Sequence, residues 1–107
     1  MSGQPRRARR TDSNHSEIAV AFEKSGFSVH RTNGDWDLTV GYGGITILVE
    51  VKDGKKPPSA RKLTPREAAF HATWTGGIRL ITCVDDVLAA KQTMLADVEA
   101  IRKARLL

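Results

Sequence analysis

The 107-residue chain holds a single cysteine, Cys83, which excludes an internal disulfide and any zinc site built on clustered thiolates. It holds one tyrosine, two tryptophans and three phenylalanines, so any large apolar core has to come mostly from aliphatic side chains. No apolar run approaches the roughly 20 residues of a membrane span. The arginine-rich start leads into no hydrophobic stretch, so no secretory signal is expected there. There is no internal repeat. What remains reads as one small soluble domain of a cytoplasmic protein, since domains run on the order of 100–150 residues.

Charge is plentiful and unevenly placed. The formal net charge is +5, with 17 basic residues against 12 acidic ones. Four of the basic residues are Arg6, Arg7, Arg9 and Arg10, leaving 13 basic against 12 acidic over residues 11–107. Residues 1–12 lack apolar periodicity and are expected to form a disordered basic tail, with a single domain over 13–107. Inside that domain Lys52, Lys55, Lys56, Arg61, Lys62 and Arg66 face Asp53 as the sole acid of their segment. Cations gathered in a tail and one loop are a footprint of nucleic-acid binding, although solubility alone also favours them.

The elements follow from punctuation and periodicity. Asn14 and Glu17 form a capping-box pair opening a helix whose apolar face is Ile18, Val20, Ala21 and Phe22, and Gly26 ends it. Phe27 to Thr32 alternates as a strand, Trp36 to Tyr42 is a second, and Ile45 to Lys52 a third, with Gly43-Gly44 as a tight turn between the last two. The stretch 53–62 is a loop. Thr64-Pro65-Arg66-Glu67 is an N-cap, a first-turn proline and a capping-box glutamate, starting a helix to about Thr75 that stops at Gly76-Gly77. Ile78 to Val84 is a fourth strand. Asp85-Asp86 then caps a final helix reaching Arg102 or beyond, with Val87, Met94, Val98 and Ile101 as its apolar stripe. The order α-β-β-β-α-β-α implies an α/β architecture.

The segment GDWDLTVGYGGITILVEVKDG carries the chemistry. On the third strand Ile45, Ile47, Val49 and Val51 share one face, and Glu50 and Lys52 the other. A two-residue Gly43-Gly44 turn pairs Tyr42 with Ile45, which sets Asp37 opposite Glu50 and Asp35 opposite Lys52, although Asp35 is better read as part of the turn with Gly34. Adjacent carboxylates repel by roughly 4 kcal/mol at 4 Å and an effective dielectric of 20, so something has to offset them. A hard divalent cation does so directly, and a lysine two residues on is placed to orient a water or stabilise developing charge. The plain alternative is a surface salt bridge among Asp37, Glu50 and Lys52.

Asp37 followed by Glu50-Val51-Lys52 after a hairpin, behind a helix bearing Glu17, resembles the PD-(D/E)xK nuclease superfamily. The run from Asn14 to Asp86, through DLTVG, LVEVKDG, SARKLTP and FHATW, is similar to the small stand-alone virus-type replication-repair nuclease (VRR-NUC) domains common in bacteriophages. The resemblance implies a restriction-endonuclease-like αβββαβ core, a mixed sheet flanked by helices, with a C-terminal helix added. It implies a metal-dependent endonuclease of structured DNA, Holliday junctions included, in a bacterial or phage-infected cell. Asp37, Glu50 and the Val51 carbonyl would then hold Mg²⁺ or Mn²⁺. Lys52 would orient the attacking water, and Glu17 would add a further carboxylate, unless it serves only to cap its helix. Many relatives carry glutamine where Glu67 stands, so Glu67 is either a site residue or only the partner of Thr64. Lys55, Lys56, Arg61 and Lys62 would meet the DNA backbone, and a homodimer would span a branched substrate. Trp36 and Trp74 could stack on bases, but in so small a domain they are expected in the core, and His71 is expected as a packing or DNA-contacting residue. The rival reading is a DNA-binding module that keeps the fold without hydrolysis.

Overall fold

The computed structural model describes residues 13–105, so the basic tail expected over 1–12 lies outside the described residues. Three helices and four strands follow in the expected order: α1 (His15–Lys24), β1 (Ser28–Arg31), β2 (Leu38–Tyr42), β3 (Ile45–Val51), α2 (Pro65–Thr73), β4 (Ile78–Ile81) and α3 (Val84–Arg105). One 3₁₀ turn, Pro58–Ala60, interrupts the basic loop. The sheet is mixed, ordered β1-β2-β3-β4, with antiparallel neighbours except the parallel pair β3–β4.

The β2–β3 register is the expected one from Tyr42 opposite Ile45 to Leu38 opposite Val49, but it ends there, so the expected pair of Asp37 with Glu50 is not part of the ladder. Both turn glycines take positive φ, +59° at Gly43 and +87° at Gly44, the conformation that a two-residue hairpin of this hand requires. Gly43 is needed twice over, because a Cβ there would come within 2.5 Å of Val98 on α3.

Alternation along the strands divides the molecule. Leu38, Val40, Ile47, Val49, Val51 and Ile81 form the apolar core with Ile18, Ala19 and Phe22 of α1 and Val87, Ala90 and Met94 of α3. Glu50 and Lys52 point to the opposite face, where α2 meets them. Three expectations are corrected here. Ala19 rather than Val20 completes the buried face of α1, and Val20 is exposed. Ile101 is exposed because α3 runs on past the sheet, so its stripe is buried only through Met94 and half-buried at Val98. The final helix also begins at Val84, and Asp86 reaches back to accept from the Thr82 backbone N–H (2.8 Å) and hydroxyl (2.9 Å), which ends β4 at Ile81. Among the described residues no helix is long and apolar enough to cross a membrane.

Candidate functional site

The β2–β3 ladder stops at Leu38, and the residues just beyond it supply the polar groups. The Asp37 N–H donates to the Val49 carbonyl at 3.0 Å, and its carboxylate Oδ2 accepts the Val51 N–H at 2.7 Å. Asp37 therefore satisfies a backbone donor that would otherwise lie past the end of the ladder, and it is only 6 % exposed. In an antiparallel pair one residue's N–H and C=O leave from the same strand edge, so the Val51 carbonyl leaves on the Asp37 side.

On the sheet face, Lys52 is the centre of a buried cluster. Its Nζ donates to Glu67 Oε1 at 2.8 Å and lies 3.9 Å from Glu50 Oε2. Glu50 is 1 % exposed, Lys52 8 % and Glu67 9 %. Charges this deep are tolerated only when paired and hydrogen-bonded. Glu67 is held from two sides, since the same Oε1 also accepts the Thr64 N–H (2.8 Å) while the Thr64 hydroxyl accepts the Glu67 N–H (3.2 Å). Glu67 thus closes the capping box with Thr64 and also partners Lys52. Burial alone would raise its carboxyl pKa, but hydrogen bonds with the Lys52 side chain, the Thr64 N–H and the Glu50 side chain outweigh burial and bring it down to about 2. Glu67 is a carboxylate at neutral pH, an acceptor and not a proton donor.

Asn14 departs from its expected role. Its side chain makes no cap bond to α1. Its amide nitrogen instead donates to the Lys52 carbonyl (3.2 Å) and the Thr82 carbonyl (3.1 Å), tying the ends of the parallel strands β3 and β4 together. The residue after Lys52, Asp53, is also buried and accepts from the Lys55 N–H (2.9 Å) and the Ser13 hydroxyl (2.8 Å). Those bonds, the Lys55 one foremost, hold its carboxyl below the usual carboxylate range. Neither of these roles is legible in the sequence. The one signal for Asp53 is its place directly after Glu-x-Lys.

Other expected residues fall elsewhere. Glu17 is exposed and lines a groove of about 530 Å³ with Ser13, Asn14, Asp53, Lys55 and Asp85, a groove that none of Asp37, Glu50, Lys52 and Glu67 lines. Asp35 does not meet Lys52, because the ladder ends before it, and its carboxylate takes the exposed Arg66 at 3.0 Å instead. Lys55, Lys56 and Lys62 are exposed and Arg61 half-buried on the loop that leaves the strand after Lys52. Trp36 and Trp74 do not join the core. They stack with Phe70 beside the cluster, and Trp74 is 41 % exposed.

Among the described residues no three of His, Cys, Asp and Glu gather into a cage for a metal ion. The donors present are nonetheless those a hydrated hard cation uses. Mg²⁺ keeps several waters and takes one or two carboxylates, and Asp37 and Glu50 are two buried acidic side chains at this end of β3. No family model, curated protein or solved structure matches the chain, so the reading of the site rests on its own geometry.

Proposed function

We propose that the protein is a metal-dependent endonuclease that hydrolyses DNA phosphodiester bonds, with branched or otherwise structured DNA as substrate. The observation that carries this reading is the buried Glu50–Lys52–Glu67 cluster, with Asp37 fastened to the Val51 amide at the same strand end and a basic loop leaving directly from it. A lysine buried between two acidic side chains is costly to build for stability alone, and its neighbours are the groups that phosphate chemistry needs.

Asp37, Glu50 and the Val51 carbonyl are the groups that would hold Mg²⁺ or Mn²⁺, which when bound supplies positive charge to the scissile phosphate and lowers the pKa of a water. Lys52 holds the attacking water in line and offsets charge developing on the phosphate oxygens. Glu67 fixes the direction of the Lys52 Nζ. Lys55, Lys56, Arg61 and Lys62 bind neighbouring phosphates, which sets register without reading sequence. A second copy related by two-fold symmetry would place a second site on the other strand of a branch.

The deciding experiment uses purified protein with labelled four-way-junction, flap, duplex and single-stranded DNA in Mg²⁺, Mn²⁺ or EDTA. Cleavage is expected in either metal and not in EDTA, and it should be lost in Asp37→Asn and Lys52→Met. Cleavage that persists in EDTA, or survives either substitution, overturns the mechanism. One observation favours a second reading: Lys52 is already engaged at 2.8 Å by Glu67, as in a structural ion pair. Binding without cleavage in every metal would make the protein a DNA-binding module that keeps the fold.

A further inference from the structure

The nuclease chemistry leaves the aromatic cluster unused, and its construction points to a ligand. Trp36, Phe70 and Trp74 lie with ring centroids 5.4 Å (36–70), 5.7 Å (70–74) and 6.5 Å (36–74) apart, and their planes are within 16°, 24° and 29° of parallel. These rings come from two distant parts of the chain. Glu67, Phe70, His71 and Trp74 are spaced at i, i+3, i+4 and i+7, one face of a helix and its continuation. The rings therefore begin one turn from the carboxylate that holds Lys52, and Trp36 is the residue before Asp37.

Both indoles are pinned by their edges. The Trp36 Nε1–H donates to the Thr39 hydroxyl (2.8 Å) and the Trp74 Nε1–H to the Gly77 carbonyl (3.2 Å). Behind Trp74 sits Gly76, where a Cβ would come within 2.9 Å of the indole nitrogen. Tied by its Nε1–H and stacked with Phe70, Trp74 is still 41 % exposed. Near-parallel aromatic faces are what a nucleobase stacks on, whichever base it is. A charged pair lies close by in the chain: Arg66 of α2, its side chain 85 % exposed, is held by Asp35, the residue before Trp36.

We propose that Trp36, Phe70 and Trp74 form a stacking platform for an unpaired nucleobase, so that the DNA taken by the adjoining site presents single-stranded or splayed nucleotides. The proposal deepens the nuclease reading and rests on it for the role of the neighbouring carboxylates. Bases inside an intact duplex are stacked on one another and have no face to give, whereas a flap or a branch point has.

The chain's only two tryptophans are both in the platform, so tryptophan emission reports on it alone. The full-length protein is titrated in EDTA with a short oligothymidylate, with an abasic strand of equal length and charge, and with a blunt duplex. Saturable quenching by oligothymidylate and little by the abasic strand is the expected result. Trp74→Leu, which keeps an apolar side chain but no ring, should weaken oligothymidylate binding about tenfold and abasic binding less than about twofold. Equal binding and quenching by the abasic strand overturns the platform, as does an equal loss for both strands in Trp74→Leu or no binding at all. The wild-type titration stands even if the variant fails to fold, and Phe70→Leu is a second ring deletion. Cleavage of duplex in Mg²⁺ without base-dependent quenching would leave the nuclease and remove the platform. Base-dependent quenching without cleavage would do the reverse.

Discussion

Removing the carboxylate of Glu67 should cost stability in two separable amounts. One oxygen, Oε1, accepts both the Lys52 ammonium and the Thr64 N–H at 2.8 Å each. Glu67→Gln keeps an oxygen acceptor for both donors but loses the charge and puts an NH₂ in place of the second oxygen, whereas Glu67→Ala removes everything. The alanine variant loses its half of the capping box, worth about 1 kcal/mol. It also leaves an ammonium in a place where Lys52 is 8 % exposed, with the Glu50 carboxylate still 3.9 Å away. Breaking a buried pair costs roughly 3–5 kcal/mol, and the retained Glu50 brings this case to the lower end. The expected totals are about 3–4 kcal/mol for alanine and about 1–2 for glutamine, read by urea denaturation. In a domain of this size each kcal/mol moves Tm by about 4–8 °C, so thermal melts separate the two variants readily. An alanine variant within about 1 kcal/mol of wild type, or a glutamine variant as damaged as alanine, refutes this account of the cluster.

Acid supplies an independent check on the same carboxylate. Its pKa of about 2 in the folded protein lies below the ordinary 4.5, so it adds stability above pH 4.5 that is lost as pH falls towards 2. The displacement is worth at most about 3 kcal/mol, and water reaching the partly open cluster reduces it to about 1–2. Glu67→Gln lacks this contribution at every pH. The stability curves of wild type and Glu67→Gln should therefore converge between pH 4.5 and 2, and parallel curves would show that Glu67 is not ionised against Lys52. Asn14→Ala should cost about 1–3 kcal/mol in urea denaturation, because two carbonyls at the ends of β3 and β4 lose their donor. Gly54→Ala puts a Cβ within 2.8 Å of the Thr82 carbonyl oxygen, a backbone atom, and should cost about 1–3 kcal/mol with nothing to compensate it. An unchanged melting temperature in that variant would contradict the close approach of the two strand ends. Lys55→Gln with Lys62→Gln should leave stability unchanged and flatten the log–log salt dependence of duplex binding by about 0.9 for each phosphate no longer neutralised. An unaltered slope would remove the loop from the DNA-binding surface.

What can be read from the sequence is local. The Gly43-Gly44 turn dictates its own hand and hence the pairing from Tyr42–Ile45 to Leu38–Val49, and Thr64-Pro65-Arg66-Glu67 contains both halves of its cap. The features that escape a sequence reading depend on partners remote in the chain. Asn14 carries the same local signature as an N-cap, but the Lys52 and Thr82 carbonyls, 38 and 68 residues away, take its amide. Phe70 and Trp74 can be placed on one helix face, yet Trp36, the third ring, is 34 residues before Phe70 and belongs to the segment entering β2. Ile101 fits the stripe of α3 well. Only the length of the sheet, which no periodicity within α3 encodes, leaves it exposed.

The polar residues of the site share a structural duty, and this governs which substitutions can speak about chemistry. All of them close the same end of β3. Asp37 takes the Val51 N–H, Asn14 ties the Lys52 carbonyl, Asp53 fastens the departing loop, and Glu67 receives the Lys52 side chain. Asp37→Ala would strand a buried N–H, at about 1–3 kcal/mol, and any fall in activity would then mix damage with chemistry. Asp37→Asn keeps an oxygen for that N–H while it removes the charge and turns the other oxygen into an NH₂. A loss of cleavage in the asparagine variant, with a wild-type urea midpoint, therefore assigns the carboxylate to the reaction, whereas the same loss in the alanine variant assigns it to nothing in particular.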